Sequence, residues 1–335
     1  MKRIDVSAHI IPQQLMEGLR EKAPQTFPSY EQTAALFPSL VDLDARFRIM
    51  DAFDDYCQVL TMVGSPTEEP LGGPKVRADL ARLTNDSMAE LVVKHPDRFI
   101  AFAATLPLPD VEASLRELER AVVDLGAKGV VLPANIEGAP LDEPRFLPVF
   151  EQVAGYDLPI WIHPLRSPQF PDFATEEISR YNLWLVFGWP YETAITLTRL
   201  VLAGLLKRFP NLKIISHHAG GLIPFLAERI RDNYERLQTR AEMHPILSGL
   251  EENPVDYLKR VYGDTALNGC QPALECALAF FGSERILFGS DFPFDIRMGA
   301  KFVEDSIRTT EGLPLTAAEK EAIYWRSAAK MLKLA

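Results

Sequence analysis

The chain carries 335 residues, 47% of them apolar, and its 35 Lys and Arg against 46 Asp and Glu leave a net charge of −11. That balance argues against non-specific nucleic-acid binding and against an anionic membrane surface, and no apolar run reaches the roughly 18 residues of a membrane span. Neither exclusion touches a small acidic substrate, which needs only a local positive site.

A short apolar strand at 4–6 runs into Ser7-Ala8-His9-Ile10-Ile11-Pro12. No apolar signal region precedes it. Residues 13–40 show no clean period. A helix is predicted over 42–54, with Leu43, Phe47 and Met50 on one stripe. A strand over 57–63, a Pro- and Gly-rich loop over 64–74, a helix over 76–94 and a strand over 99–105 follow. An amphipathic helix at 111–125 places Leu115, Leu118, Val122 and Leu125 on one face. A fourth strand spans 129–132 and a short helix 146–154. The fifth strand, 158–164, ends on His163 and enters a long loop containing Phe170, Phe173, Tyr181, Trp184, Phe187 and Trp189. After a helix at 191–209, the sixth strand, 212–216, ends in His217-His218-Ala219-Gly220-Gly221, and a helix at 223–237 begins just beyond. A weak seventh strand at 261–265 and a helix at 272–281 precede an eighth strand at 285–288, which breaks at Gly289-Ser290 and presents Asp291. Thr316-Ala317-Ala318-Glu319 is a capping box that opens a last helix to about residue 332. The cysteines Cys57, Cys270 and Cys276 lack zinc-ligand spacing and fit buried thiols in a reducing cytoplasm.

Eight apolar strands alternating with helices imply parallel pairing and right-handed crossovers. Eight is also the number that closes an α/β barrel of the (β/α)8 TIM type, and such a barrel can reach this length as one domain. The runner-up, an open doubly wound sheet, needs a Gly-rich phosphate turn after an early strand, and the turn after Val6 has no glycine. In a barrel the active site lies at the C-terminal ends of the strands. Four of the six histidines fall there, His9, His163, His217 and His218, together with Asp291. His95 and His244 stand in His-Pro dipeptides at helix ends and read as surface residues. A lone histidine is more often a satisfied structural residue, and a lone Asp291 suits a local cap; the set is the signal. Imidazole nitrogen with one carboxylate oxygen suits zinc or manganese and leaves a position open for water or substrate oxygen. A further histidine within reach can serve as general acid or base.

The residues Ile4-Asp5-Val6-Ser7-Ala8-His9-Ile10-Ile11-Pro12, Ile160-Trp161-Ile162-His163-Pro164, the run from Phe209 through His217-His218-Ala219-Gly220-Gly221 to Pro224, and Leu287-Phe288-Gly289-Ser290-Asp291-Phe292-Pro293 together resemble the amidohydrolase superfamily over nearly the whole chain. The branch is that of aminocarboxymuconate-semialdehyde decarboxylase and the dihydroxybenzoate decarboxylases. The resemblance implies a single barrel of the metal-dependent hydrolase type over 1–335, with the loop at about 165–190 acting as a lid or a subunit contact. It implies His9, His163 and Asp291 as ligands of Zn2+ or Mn2+. It implies His218, six residues before Pro224, as the histidine that orients water or moves a proton, with Asp291 as its catalytic companion. His217 is then an extra histidine buried in the strand.

The chain departs from the family pattern at Ser7, where the first histidine of a His-x-His pair, or a glutamate in some decarboxylases, is usual. A serine hydroxyl is a poor zinc ligand, so three outcomes stay open here: His9, His163 and Asp291 with added water, a weakly held metal, or none. The implied function is a metal-dependent non-oxidative decarboxylase of a small aromatic or muconate-like carboxylic acid. A hydrolase of C–N, C–O or C–C acyl bonds would use the same ligands, and Ser7 favours a third reading, a metal-free ligand-binding barrel. Arg166 is either a contact for a substrate carboxylate or a solvated loop charge. The expected partners are a small carboxylic acid and a second copy of the chain in a homodimer, with no nucleic acid and no membrane, in the cytoplasm.

Overall fold

The computed structural model describes residues 1–62, 72–239 and 250–334. Most of the loop expected at 64–74, and all of His244, lie outside the described residues. The barrel strands are β1 (Arg3–Ile10), β2 (Tyr56–Met62), β3 (Phe99–Phe102), β4 (Val130–Pro133), β5 (Pro159–His163), β6 (Lys213–Ser216), β7 (Tyr262–Asp264) and β8 (Ile286–Leu287). They form two parallel runs, β1 to β3 and β4 to β8, each in sequence order. Ala104 pairs with Val130 across one seam and Ala8 with Phe292 across the other. Backbone bonds from Val6 N to Phe288 O (3.0 Å) and from His9 N to Phe292 O (2.8 Å) tie the second seam. The sheet therefore closes as a (β/α)8 barrel, and an open sheet is excluded.

β1 is longer than its apolar stretch at 4–6 predicts, and its register shifts between Asp5 and Ala8. The shift exchanges the faces. Ile4 and Val6 pack with Val59, Ala101, Trp161, Ile215 and Leu287 in the barrel interior, whereas Ala8 and Ile10 join the core under the helices. Ser7 and His9 are left to the inside, at the mouth. The C-terminal helix Ser327–Met331 closes the opposite end with Ala328 and Met331. Below the site, Trp161 Nε1 donates to Val6 O at 2.9 Å.

Residues 13–40, read as aperiodic, hold two helices, Gln13–Lys22 and Phe27–Leu36. Pro12 precedes the first and Pro28 opens the second, positions where proline starts a helix rather than breaking one. The segment between Asp291 and the capping box holds a further helix, Ala300–Glu311. The helix expected over 191–209 is two, Trp189–Leu202 and Leu205–Arg208, parted at Gly204. The Thr316 capping box forms as predicted, but the last helix is broken by a π turn over Ala322–Arg326. No helix among the described residues is long and apolar enough to cross a membrane.

Candidate metal centre and active site

Each of the site residues named from the sequence lies at the C-terminal mouth of the barrel. His9 comes late in β1, His163 ends β5, His217 and His218 follow β6, and Asp291 follows β8. His9 and His217 are fully buried. Above them His163, His218 and Asp291 line a cavity of about 1300 Å³. Only 14% of the His218 side chain and 15% of the Asp291 side chain are exposed, so both face this cavity and little else.

The backbone is bent to produce that convergence. Consecutive residues in a continuing strand point to opposite faces. Here His218 (φ 55°) and Ala219 (φ 51°) turn left-handed immediately after His217, so both imidazoles reach the mouth, with ring centroids 6.0 Å apart. Asp291 is also left-handed, at φ 65°. Such conformations cost about 1–3 kcal/mol each outside glycine and persist only where the surroundings over-determine them. Gly289 is required at the exit of β8. A Cβ there would meet Ser7 Oγ at 2.7 Å and Asp264 Cβ at 2.9 Å.

Hydrogen bonds then fix the rings. His9 Nε2 lies 3.1 Å from Asp291 Oδ1, and its Nδ1 lies 3.1 Å from Thr61 Oγ1. His163 Nδ1 donates to Pro164 O at 2.7 Å, which leaves the Nε2 lone pair free. Burial, reinforced by the neighbouring His9 and His218 rings, pushes the His163 pKa down to about 3. Burial likewise drives His217 well below the ordinary histidine value. Both are therefore neutral donors at neutral pH. Burial alone would raise the Asp291 pKa, but His218 and His9 outweigh it and hold the carboxylate well below its usual range. Burial alone would lower His218, yet Asp291, whose Oδ2 is 3.6 Å from His218 Nε2, overcomes it and raises the pKa.

Nitrogens of His9, His163 and His217 lie within 4.8 Å of one another, the one such group among the described residues. Imidazoles beside a largely buried carboxylate fit a divalent transition metal, and the orphaned nitrogens of His217 fit it as well. His217 stands just past β6 rather than within it, and it belongs to the cluster. Ser7 is not an empty ligand position: its hydroxyl donates to Asp264 Oδ2 at 2.6 Å.

Two further residues of the site, Asp264 and Glu192, were not singled out from the sequence. Asp264, the last residue of β7, accepts from Ser7 and from the amides of Ala219 (3.2 Å) and Ala266 (3.3 Å). It carries the same signal as Asp291, an acid at a strand's C-terminal lip. Glu192 accepts the amides of Leu165 (2.6 Å) and Arg166 (2.7 Å), pinning the chain just past His163. Trp189 stacks on His218 at 6.1 Å and meets His163 edge-on at 5.5 Å. Arg166 lines the cavity, its stem passing over Gly188, and makes no ion pair with an acidic side chain among the described residues. Away from the mouth, His95 is half-buried against Phe47 and Phe99 rather than a free surface residue. Of the thiols expected to be buried, Cys57 is, Cys276 is intermediate and Cys270 is exposed.

The comparisons with known proteins agree with this geometry. The amidohydrolase family model matches residues 4–334. A gamma-resorcylate decarboxylase of a Polaromonas strain is 31% identical over 303 residues, covering 88% of this chain and 89% of that protein. The 2-amino-3-carboxymuconate-6-semialdehyde decarboxylase of Dictyostelium discoideum is 31% identical over 67% of this chain but only 59% of its own length. Among solved structures, a 5-carboxyvanillate decarboxylase of Novosphingobium aromaticivorans with bound manganese superposes with a TM-score of 0.84 at 26% identity, covering 99% and 97% of the two chains. The Polaromonas dihydroxybenzoic acid decarboxylase with manganese and 2-nitroresorcinol gives 0.78 at 27%, covering 99% and 97%. With a family model matched over nearly its whole length, a closed barrel and a histidine–aspartate cluster at the mouth, this chain belongs to the amidohydrolase family.

Proposed function

We propose that the chain is a metal-dependent non-oxidative decarboxylase of a small aromatic or muconate-like carboxylic acid. The observation that carries the reading is the convergence of His163, His218 and Asp291 on one cavity with aromatic walls, with His9 buried just behind Asp291. His9, His163 and Asp291 would hold the ion, and manganese in the related structures supports Mn2+ over Zn2+. Bound there, the cation supplies Lewis-acid polarisation of a substrate oxygen.

The chain's own residues do the rest. Trp189 and Trp184, 5.8 Å apart in an edge-to-face pair, offer a wall to a flat ring. Arg166 is the one guanidinium or ammonium group among the described residues lining the cavity, and it meets the substrate carboxylate before reaction. His218, protonated against Asp291, delivers its proton to the carbon that loses carbon dioxide. The C–C bond breaks, its electron pair stays on that carbon, and a C–H bond forms there.

The segment at about 165–190 acts both as one wall of the site and as a subunit contact. More than half of the exposed large apolar side chains among the described residues fall between 170 and 195, with Tyr181 87% exposed, and this supports a homodimer built on that flank. The reading includes a cytoplasmic setting, supported by cysteines that form no disulfide. The test is a substrate panel on Mn2+-loaded protein. Carbon dioxide release from dihydroxybenzoates or related acids is expected. Turnover of esters, amides or acyl C–C substrates, with no acid decarboxylated, would make it a hydrolase.

A further inference from the structure

We propose that His217 supplies the metal ligand that the family pattern places at position 7, so that β6 rather than β1 provides the third imidazole. The proposal rests on the metal-dependent reading above and goes beyond it, because His217 has no place in the ligand set His9, His163 and Asp291.

Three observations carry it. First, His217 is fully buried and neither ring nitrogen makes a hydrogen bond; Asp264 Oδ2 lies 3.7 Å from Nδ1. Buried polar atoms are nearly always partnered, and an exception points to an ion or a water at the site. Second, the ring is already in place. It stacks on His9 at 5.4 Å with an interplanar angle of 19°, and it meets His163 at 4.8 Å, with ligand nitrogens of all three inside 4.8 Å. Third, Ser7 has another task. Its hydroxyl donates to Asp264 Oδ2, the same oxygen that faces His217 Nδ1. Serine thus orients the carboxylate standing behind the substitute ligand.

The two changes go together in physical terms. An imidazole at position 7 would press on Gly289, where even a Cβ would stand 2.7 Å from Ser7 Oγ, and on Asp264. A small hydroxyl leaves that space and ties down Asp264. With the Asp264 carboxylate 3.7 Å from its Nδ1, His217 has Nε2 left for the cluster. The left-handed turn at His218 keeps the neighbouring imidazole on Asp291, free for proton transfer. The set His9, His163, His217 and Asp291 restores four protein donors.

The experiment is a Mn2+ titration of chelator-stripped protein, wild type against His217→Ala, by competition with a chelator. Loss of an outer-sphere partner typically costs about 10–100-fold in affinity, so removal of a direct ligand is expected to cost about 100-fold or more. Added imidazole, filling the vacated space, is expected to restore most of it. Pulsed EPR of the Mn2+-loaded wild type needs no variant and is expected to count three coupled imidazole nitrogens. Two nitrogens, or wild-type affinity in His217→Ala, would overturn the role of His217 and leave the metal reading intact. A wild type that takes up no Mn2+ would overturn both.

Discussion

The floor and the rim of the mouth are built on opposite principles. On the floor the buried polar groups around the histidines are held several times over. Asp5, beneath Asp291, accepts from the amides of Ser7 and Ser290 and from the hydroxyls of Tyr56 and Ser290. Arg46 is fully buried, donates to Gln58 Oε1 (2.7 Å) and His9 O (2.8 Å), and lies 4.6 Å over the Phe292 ring. Burial lowers its pKa only to about 10, so the charge persists at pH 7. The rim at 165–190 is held at a few points, chiefly Glu192 and Trp189, and it leaves Phe173, Tyr181 and Phe187 largely exposed. The difference places the chemistry, which tolerates little displacement, on strand ends. Fit to the substrate, and to the partner subunit of the proposed dimer, would then fall to loops that can vary.

Substitutions should separate the two regions by the size and kind of their effects. The largest belongs to Asp291→Asn, which keeps the shape but removes the charge on which His9 and His218 converge. Its kcat/KM on the best acid substrate should fall about a thousandfold, and a loss under tenfold would mean that the floor does not do the chemistry. Next is the metal itself. At a free Mn2+ concentration 100 times Kd, binding adds about 2.7 kcal/mol to stability, so calorimetry of the chelator-stripped protein should show Tm rise on adding Mn2+; an unmoved Tm would contradict a metal floor.

Rim changes should act on binding instead. Arg166→Met removes a charge-assisted contact worth about 1.5–3 kcal/mol and should raise KM for carboxylate substrates by roughly one to two decades, with Mn2+ affinity unaltered. Equal losses in kcat would place Arg166 in the chemistry. The smallest catalytic effect is expected from the pair Tyr181→Ser and Phe187→Ser. Sedimentation should show a weakened dimer while kcat stays within about twofold. Unchanged sedimentation with a raised KM would make this segment a lid alone.

The same contrast explains what could be read from the sequence. The floor was legible because its parts sit at the ends of short apolar strands, and a histidine or aspartate there departs visibly from the pattern. Asp264 was missed because Tyr262–Asp264 is the weakest of those strands, so its lip did not stand out. His217 was assigned to the strand because the periodicity of β6 gives no sign that the backbone turns left-handed one residue later. The wall formed by Tyr30 and Phe37 was missed because residues 13–40 show no clean apolar period, although Pro12 and Pro28 stand where two helices open. The partners of the rim, Glu192 with two loop amides, depend on contacts across 26 and 27 residues that no local pattern encodes.

The central claim is that the floor replaces a carboxyl group with a proton. The most direct measurement runs the Mn2+-loaded enzyme in heavy water on a dihydroxybenzoate-type acid and follows the product by proton NMR and mass spectrometry. The account predicts carbon dioxide and one deuterium per product molecule, on the carbon that bore the carboxyl group. A product without ring deuterium, or an acid left intact while acyl substrates are hydrolysed, would contradict it.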